Sequence, residues 1–320
     1  MASMPLLRLF TAGLVWVLVA AGAFTRPAVA DDRLSIVNLM PAFWEAWDHG
    51  RSVDERVRLF EQLVAVPNHQ AYGTGQFALD EVHIAWYLQD VVPYVPRMRE
   101  LTAMLSTEIP TAERRFLETF PDLRSGVQVY FMPSMLHFDG QTNNGVLRFG
   151  IDGIARFDGA NADLGVLVSH ELFHIYHAQV SPDVFGETGS GGAPPIWRQL
   201  WSEGLATYVS SRLNPDASKS QVLLSTALGT LPPADVQRLA CAIAPALDAA
   251  DGSRVAPFFD AGMHPPQLPS RGGYLVGFLV ARDLDVAHDL RALAVLRGEG
   301  LRTAIGTDVA RICRNGPDPA

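Results

Sequence analysis

The chain has 320 residues, 48% of them apolar, with 34 acidic against 25 basic side chains and a net charge of −9. That length and apolar share suffice for a large core, in one big domain or two small ones. The acidic balance and the lack of any basic run exclude a surface that tracks a phosphate backbone, so no nucleic-acid partner is expected.

Residues 1–30 read as an export signal. Arg8 ends a short leading segment, Leu9 to Phe24 is an uncharged apolar run, and Ala28-Val29-Ala30 fits a cleavage site. The run between Arg8 and Arg26 is short of the roughly 20 apolar residues that a membrane-spanning helix needs. No cysteine near the cleavage point offers a lipid attachment. The expectation is an exported chain, periplasmic or secreted, that starts near Asp31 and keeps no membrane contact after cleavage.

From Leu34 to Phe120 apolar residues recur at three- and four-residue spacing, clearest in Val53 to Val64, Phe77 to Met104 and Thr111 to Phe120, which predicts helices. Pro67, Pro110 and Pro121 fall near segment ends. Residues 31–125 are thus expected to form a helical N-terminal region. It holds no reactive cluster, and its His69 and His83 read as structural or surface groups.

Between Gly126 and Phe157 the texture changes to strands: Val127 to Met132, Gly145 to Gly150, then Ile151 to Phe157. Asp139-Gly140 and Asn143-Asn144-Gly145 supply turn chemistry between the first two. A small, mostly antiparallel sheet is the expectation, and the fold class is α+β, predominantly helical.

Ala162 to His177 is apolar on nearly every side, as a buried helix is, yet carries His170, Glu171, His174 and His177. At about 100° per residue the three imidazoles form one stripe. Polar groups so placed need a partner. Imidazoles at i and i+4 can both point a nitrogen at one zinc ion, while Glu171, swung aside, can hold a water without being a ligand. His-Glu-Leu-Phe-His is therefore an H-E-x-x-H pattern with its mechanics intact.

A catalytic zinc site needs a third protein ligand. Glu203 is one candidate, in Trp201-Ser202-Glu203-Gly204-Leu205-Ala206-Thr207-Tyr208, on a helix expected to start just after Pro194-Pro195. Gly204 costs about 1 kcal/mol against alanine in a helix interior, which points to a close helix approach. Thr207 stands one turn on, either beside the ligand or facing solvent. The metzincin spacing is excluded, because it requires glycine at 177 and a ligand at 180, where this chain has His177 and Val180. His177 is the next candidate, otherwise a packing histidine. Asp183 and Glu187 read as surface carboxylates of a loop, Ala178 to Pro195. Cys241 and Cys313 are the only cysteines; an exported location permits a disulfide, and the spacing leaves free thiols equally open.

Around His170 to His174 and Glu203 to Tyr208 the chain resembles the gluzincin metallopeptidases, in which an H-E-x-x-H helix is followed by a second helix with a ligand glutamate, often in a Glu-Gly-x-Ala-x-Tyr-like stretch. The resemblance spans roughly Val127 to Leu213 within a region taken as 126–320, and the interval from His174 to Glu203 is longer than in the best-known members. It implies one zinc ion per chain on His170, His174 and Glu203, Glu171 as general base, and a peptide or protein substrate. A tyrosine beyond the ligand helix is implied as oxyanion donor: Tyr274 first, Tyr208 second. An edge strand before the metal helix, Gly145 to Gly150 or Ile154 to Phe157, is implied to pair with extended substrate. Hydrolysis of a non-peptide amide or ester, or a non-catalytic binding role on the same fold, are the competing expectations.

Overall fold

A computed structural model describes residues 34–72, 79–124, 126–143, 146–185 and 194–318; the expected export segment and Glu187 lie outside them. In chain order the strands are β1 (Leu34–Asn38), β2 (Val127–Met132), β3 (Gly140–Asn143) and β4 (Val146–Gly150). Five helices separate β1 from β2: α1 (Met40–His49), α2 (Val53–Phe60), α3 (His69–Tyr72), α4 (Glu81–Asp90) and α5 (Val95–Thr119). After β4 come α6 (Ile151–Phe157), α7 (Leu164–Val180), α8 (Pro182–Phe185) and α9 (Ile196–Leu213). The remainder is α10 (Lys219–Val222), α11 (Thr226–Gly229), α12 (Pro233–Ile243), α13 (Gly252–Phe259), α14 (Gly272–Asp285), α15 (Leu290–Ala294) and α16 (Gly298–Asn315). The molecule is predominantly helical α+β.

The sheet order is β1-β2-β4-β3, with β1 and β4 both parallel to β2 and only β3 antiparallel to β4. This corrects the expected antiparallel sheet. The near-continuous apolar run of β2, buried at five of six positions, is the signature of a strand covered on both faces, which suits parallel pairing. Turn chemistry misled: Asn143 pairs with Val146, so the two residues between them join β3 to β4 instead of joining β2 to β4. Two further expectations fail. Leu34–Asn38, read as helical, is a strand that pairs with β2, and Ile151 to Phe157, read as a strand, is α6. Short apolar runs do not carry their own period, and the neighbours decide. Because β1 and β2 share a sheet, residues 34–124 and those after 126 belong to one compact unit. Pro110, expected at a segment end, lies inside α5.

α7 is the central helix. Leu164, Leu167, Val168, Leu172, Phe173 and Tyr176 are buried in the core, and α5 and α9 pack on it. Its first turn is capped by the Asp163 carboxylate, which accepts from the Val166 amide at 3.0 Å. The far end of α9 is tied to it by Asn214, whose side-chain amide donates to Ser169 Oγ at 3.2 Å.

α9 in turn lies directly on α14. A Cβ on Gly204 would stand 2.2 Å from the Gly277 backbone, and one on Gly277 would stand 2.2 Å from the Leu200 carbonyl oxygen. The two helices therefore meet backbone to backbone, the close approach that Gly204 foretold. The first amides of α9 need no side-chain cap, since Ile196 and Trp197 donate to the Ala249 and Leu247 carbonyls at 3.0 and 2.9 Å. At the C-terminal end α12 packs on α16, and Cys241 and Cys313 form a disulfide across them.

Candidate metal centre

Helix α7 turns His170 and His174 toward α9, and α9 returns Glu203 between them. The two Nε2 atoms are 3.0 Å apart, and each lies 3.4 Å from Glu203 Oε2. Donor atoms 2.0–2.1 Å from a common tetrahedral centre are about 3.4 Å apart, so these three already have the spacing of a ligand set. His170, His174 and Glu203 can hold a metal ion, and among the described residues theirs is the one such group. They are half-buried at the floor of a cleft of about 710 Å³.

The electrostatics of the three are mutual. Burial raises the Glu203 carboxyl, but the His174 and His170 imidazoles outweigh it and hold Glu203 well below the usual carboxylate range. Burial lowers His174, and Glu203 with Glu171 pushes it the other way, up to about 9. The free site is a carboxylate clamped between two imidazoles, a preorganised arrangement that a dication can take over by displacing the His174 proton.

His177, the other candidate on the stripe, is fully buried beside the Phe173 ring, with ring centroids 5.2 Å apart. Burial, and then the His174 charge, push it down to about 3, so it packs as a neutral imidazole outside the ligand group. Asp183 is exposed on α8. Thr207 faces neither ligand nor solvent: it is buried and donates to the Glu203 backbone carbonyl at 2.7 Å. His83 is an exposed partner of Asp80, which caps α4.

Glu171 lies beside the ligands against the edge strand β3. Thr142 Oγ1 donates to Glu171 Oε2 at 2.7 Å, and a Cβ at Gly140 would stand 2.9 Å from Glu171 Oε1. Glycine at 140 thus lets the carboxylate come close to the strand, and the threonine fixes its rotamer. In the sequence Gly140 reads only as a turn residue and Thr142 carries no signal, because nothing local says that β3 will lie against α7. The strand implied for substrate pairing is also corrected: β4 is internal and Ile154 to Phe157 is helical, whereas Gly140, Gln141 and Thr142 of β3 line the cleft.

A buried acid builds this edge. Asp152, 0% exposed, accepts from the Ser134 and Leu136 amides at 2.6 and 2.7 Å. Those bonds pin a turn in which Met135 and Leu136 both take left-handed backbone, φ 57° and 62°. Gly153 completes it, since a Cβ there would stand 1.7 Å from the Phe138 carbonyl oxygen. The chain leaves this turn directly into β3.

Tyr274, in the first turn of α14, lines the same cleft, its ring stacked on His170 at 6.3 Å between centroids. Burial first, and the Glu203 charge second, push the phenol well above its usual value, so the hydroxyl keeps its proton and can donate. The Arg271 guanidinium lies 4.6 Å from the centre of the Tyr274 ring, among the charges of Asp139 and Asp158. Asp158 is only 3% exposed, and burial, then Asp139, push it up to about 8. Arg271 stands three residues before Tyr274, a spacing within one helical turn that the sequence carries. Tyr208, the second choice, belongs elsewhere: its hydroxyl donates to Asp285 Oδ2 at 2.7 Å and it does not line the cleft.

Comparisons of the chain with protein-family models, with curated proteins and with solved structures found no match.

Proposed function

We propose that the protein is an exported zinc metallopeptidase in which His170, His174 and Glu203 hold one zinc ion, Glu171 is the general base and Tyr274 donates to the oxyanion. The observation that carries the reading is the convergence of three donor atoms at ligand spacing with a second carboxylate, Glu171, fixed beside them and outside the set. A purely structural zinc site would close its fourth position and need no such neighbour. Zinc is the ion that a two-histidine, one-carboxylate set suits, and bound there it supplies Lewis acidity to a carbonyl and to water.

The chain's own residues then divide the work. Thr142 holds one oxygen of Glu171, so the carboxylate is oriented to take a proton from the attacking water and pass it to the leaving nitrogen. Tyr274, still protonated, offers its hydroxyl to the oxygen on which charge develops. The β3 edge, along the cleft wall, supports a peptide in preference to a compact amide or ester, because an extended chain can add to a strand edge through its own backbone. Export accords with the Cys241–Cys313 disulfide, since such bonds persist in oxidising compartments. The resemblance to gluzincins in the two motif segments points the same way.

Metal analysis of the purified chain is expected to find one zinc per molecule. Glu171→Gln is expected to keep that zinc while peptide cleavage falls on the order of 10³-fold. A protein without zinc, or a variant that cleaves at the parent rate, would end the proposal.

A further inference from the structure

The cleft contains a cation that the chemistry above does not use. Three arginines line it: Arg124, Arg198 and Arg271. Arg271 is answered by Asp139, Asp158 and the Tyr274 ring. Arg198, in the first turn of α9, is half-buried; its Nε is withdrawn from water and meets no hydrogen-bond acceptor, and no carboxylate among the described residues pairs with it. The Trp197 ring lies 5.3 Å from its guanidinium carbon. Beside it Gln199, which also lines the cleft, has a buried Oε1 with no donor. A guanidinium edge and an amide oxygen left unmatched in one wall are costly alone, and each is satisfied by a complementary ligand group.

The spacing along α9 places that wall relative to the metal. Gln199 is one turn before Glu203 on the same helical face, and Arg198 is roughly 7.5 Å from Glu203 along the axis. An extended peptide covers about 7 Å in two residues. Resting on the peptidase reading, and deepening it, we propose that Arg198 selects substrates that place a carboxylate within about two residues of the scissile bond, with Gln199 Oε1 accepting a substrate N–H. A free C-terminus and an acidic side chain present the same carboxylate, and an arginine fork suits either.

The test measures binding without turnover, using the zinc-loaded Glu171→Gln protein and three N-acetylated peptides of one neutral sequence: free C-terminus, C-terminal amide, and amide with one glutamate introduced. At least one carboxylate peptide is expected to bind about tenfold or more tightly than the neutral amide. The tighter of the two identifies the source. Arg198→Met is expected to erase the preference while leaving affinity for the neutral amide within about twofold, and Arg198→Lys to restore part of it. Equal binding of all three peptides, or a preference that survives Arg198→Met in a protein with the parent's thermal midpoint, would overturn the inference. Because binding is read directly, and again on metal-free protein, failure of the zinc or base assignment appears in metal content and cleavage and is distinguishable from failure here.

Discussion

Asp152 and Glu203 are both acids withdrawn from water, and the chain satisfies them in opposite ways. Asp152 is held by two main-chain amides that cannot move away, and at 0% exposure it is closed to ligands from solvent. Glu203, whose side chain is 20% exposed, faces two imidazoles whose nitrogens converge on one point at the cleft floor. The first is architecture: it sets the turn that delivers β3. The second is a site, because its partners are titratable and replaceable. A buried acid therefore tells little by itself; the identity of its donors separates a structural role from a binding one.

The largest expected effect separates the two acids by readout. Asp152→Ala leaves two buried amides without an acceptor, at about 1–3 kcal/mol each, so urea unfolding of the metal-free protein should show a loss of about 3–5 kcal/mol. Zinc affinity of the folded fraction should change little. Glu203→Ala should reverse the pattern: zinc affinity falls on the order of 10²–10³-fold by competition titration, while unfolding of the metal-free protein at about pH 10, where His174 is neutral with or without the carboxylate, shifts by less than about 1 kcal/mol. If both variants lost stability alike, Glu203 would be a structural acid too.

The pH dependence sharpens the same contrast. His174 is held up to about 9, above its ordinary 6.5, so its contribution to stability is fully present below about 6.5 and is lost as pH rises through about 9. Zinc must displace that proton, so zinc affinity should climb by about tenfold per pH unit across the window and level off near 9. Burial raises the Asp152 carboxyl, which gives the opposite case for an acid: the native state keeps its proton longer than the unfolded chain, and stability falls as pH rises from the ordinary carboxylate range. Stability of the metal-free protein measured from pH 3 to 10 should resolve both limbs, and Glu203→Gln should remove the alkaline one alone.

The smallest effect concerns the strand that Asp152 positions. Thr142→Val removes the hydroxyl that orients Glu171, and the peptide-cleavage rate should fall by about tenfold with zinc content unchanged, the loss of one hydrogen bond to a charged group. A rate equal to the parent's would show that Gly140 and the α7 rotamer suffice to hold Glu171.

What could be read from the residues alone was whatever depends on one element. The stripe of His170 and His174 with Glu171 swung aside follows from helical period, and Gly204 followed from the cost of glycine in a helix. The sheet was not legible in the same way. Strand direction and order are set by contacts between segments about 90 residues apart, as with Leu34 and Val127, and short apolar runs such as Ile151 to Phe157 carry no period to read.

By itself, then, the sequence determined the identity and spacing of the α7 imidazoles and the place of Glu171 beside them, because helix geometry is local. Only the tertiary structure decided which carboxylate stands with them. It brought Glu203 back across the long interval after His174 by pressing α9 onto α14 through Gly204 and Gly277, bonded Cys241 to Cys313, and laid β3 rather than β4 beside Glu171. Those outcomes depend on close packing between elements remote in sequence, where the fit of one backbone against another settles what no local pattern encodes.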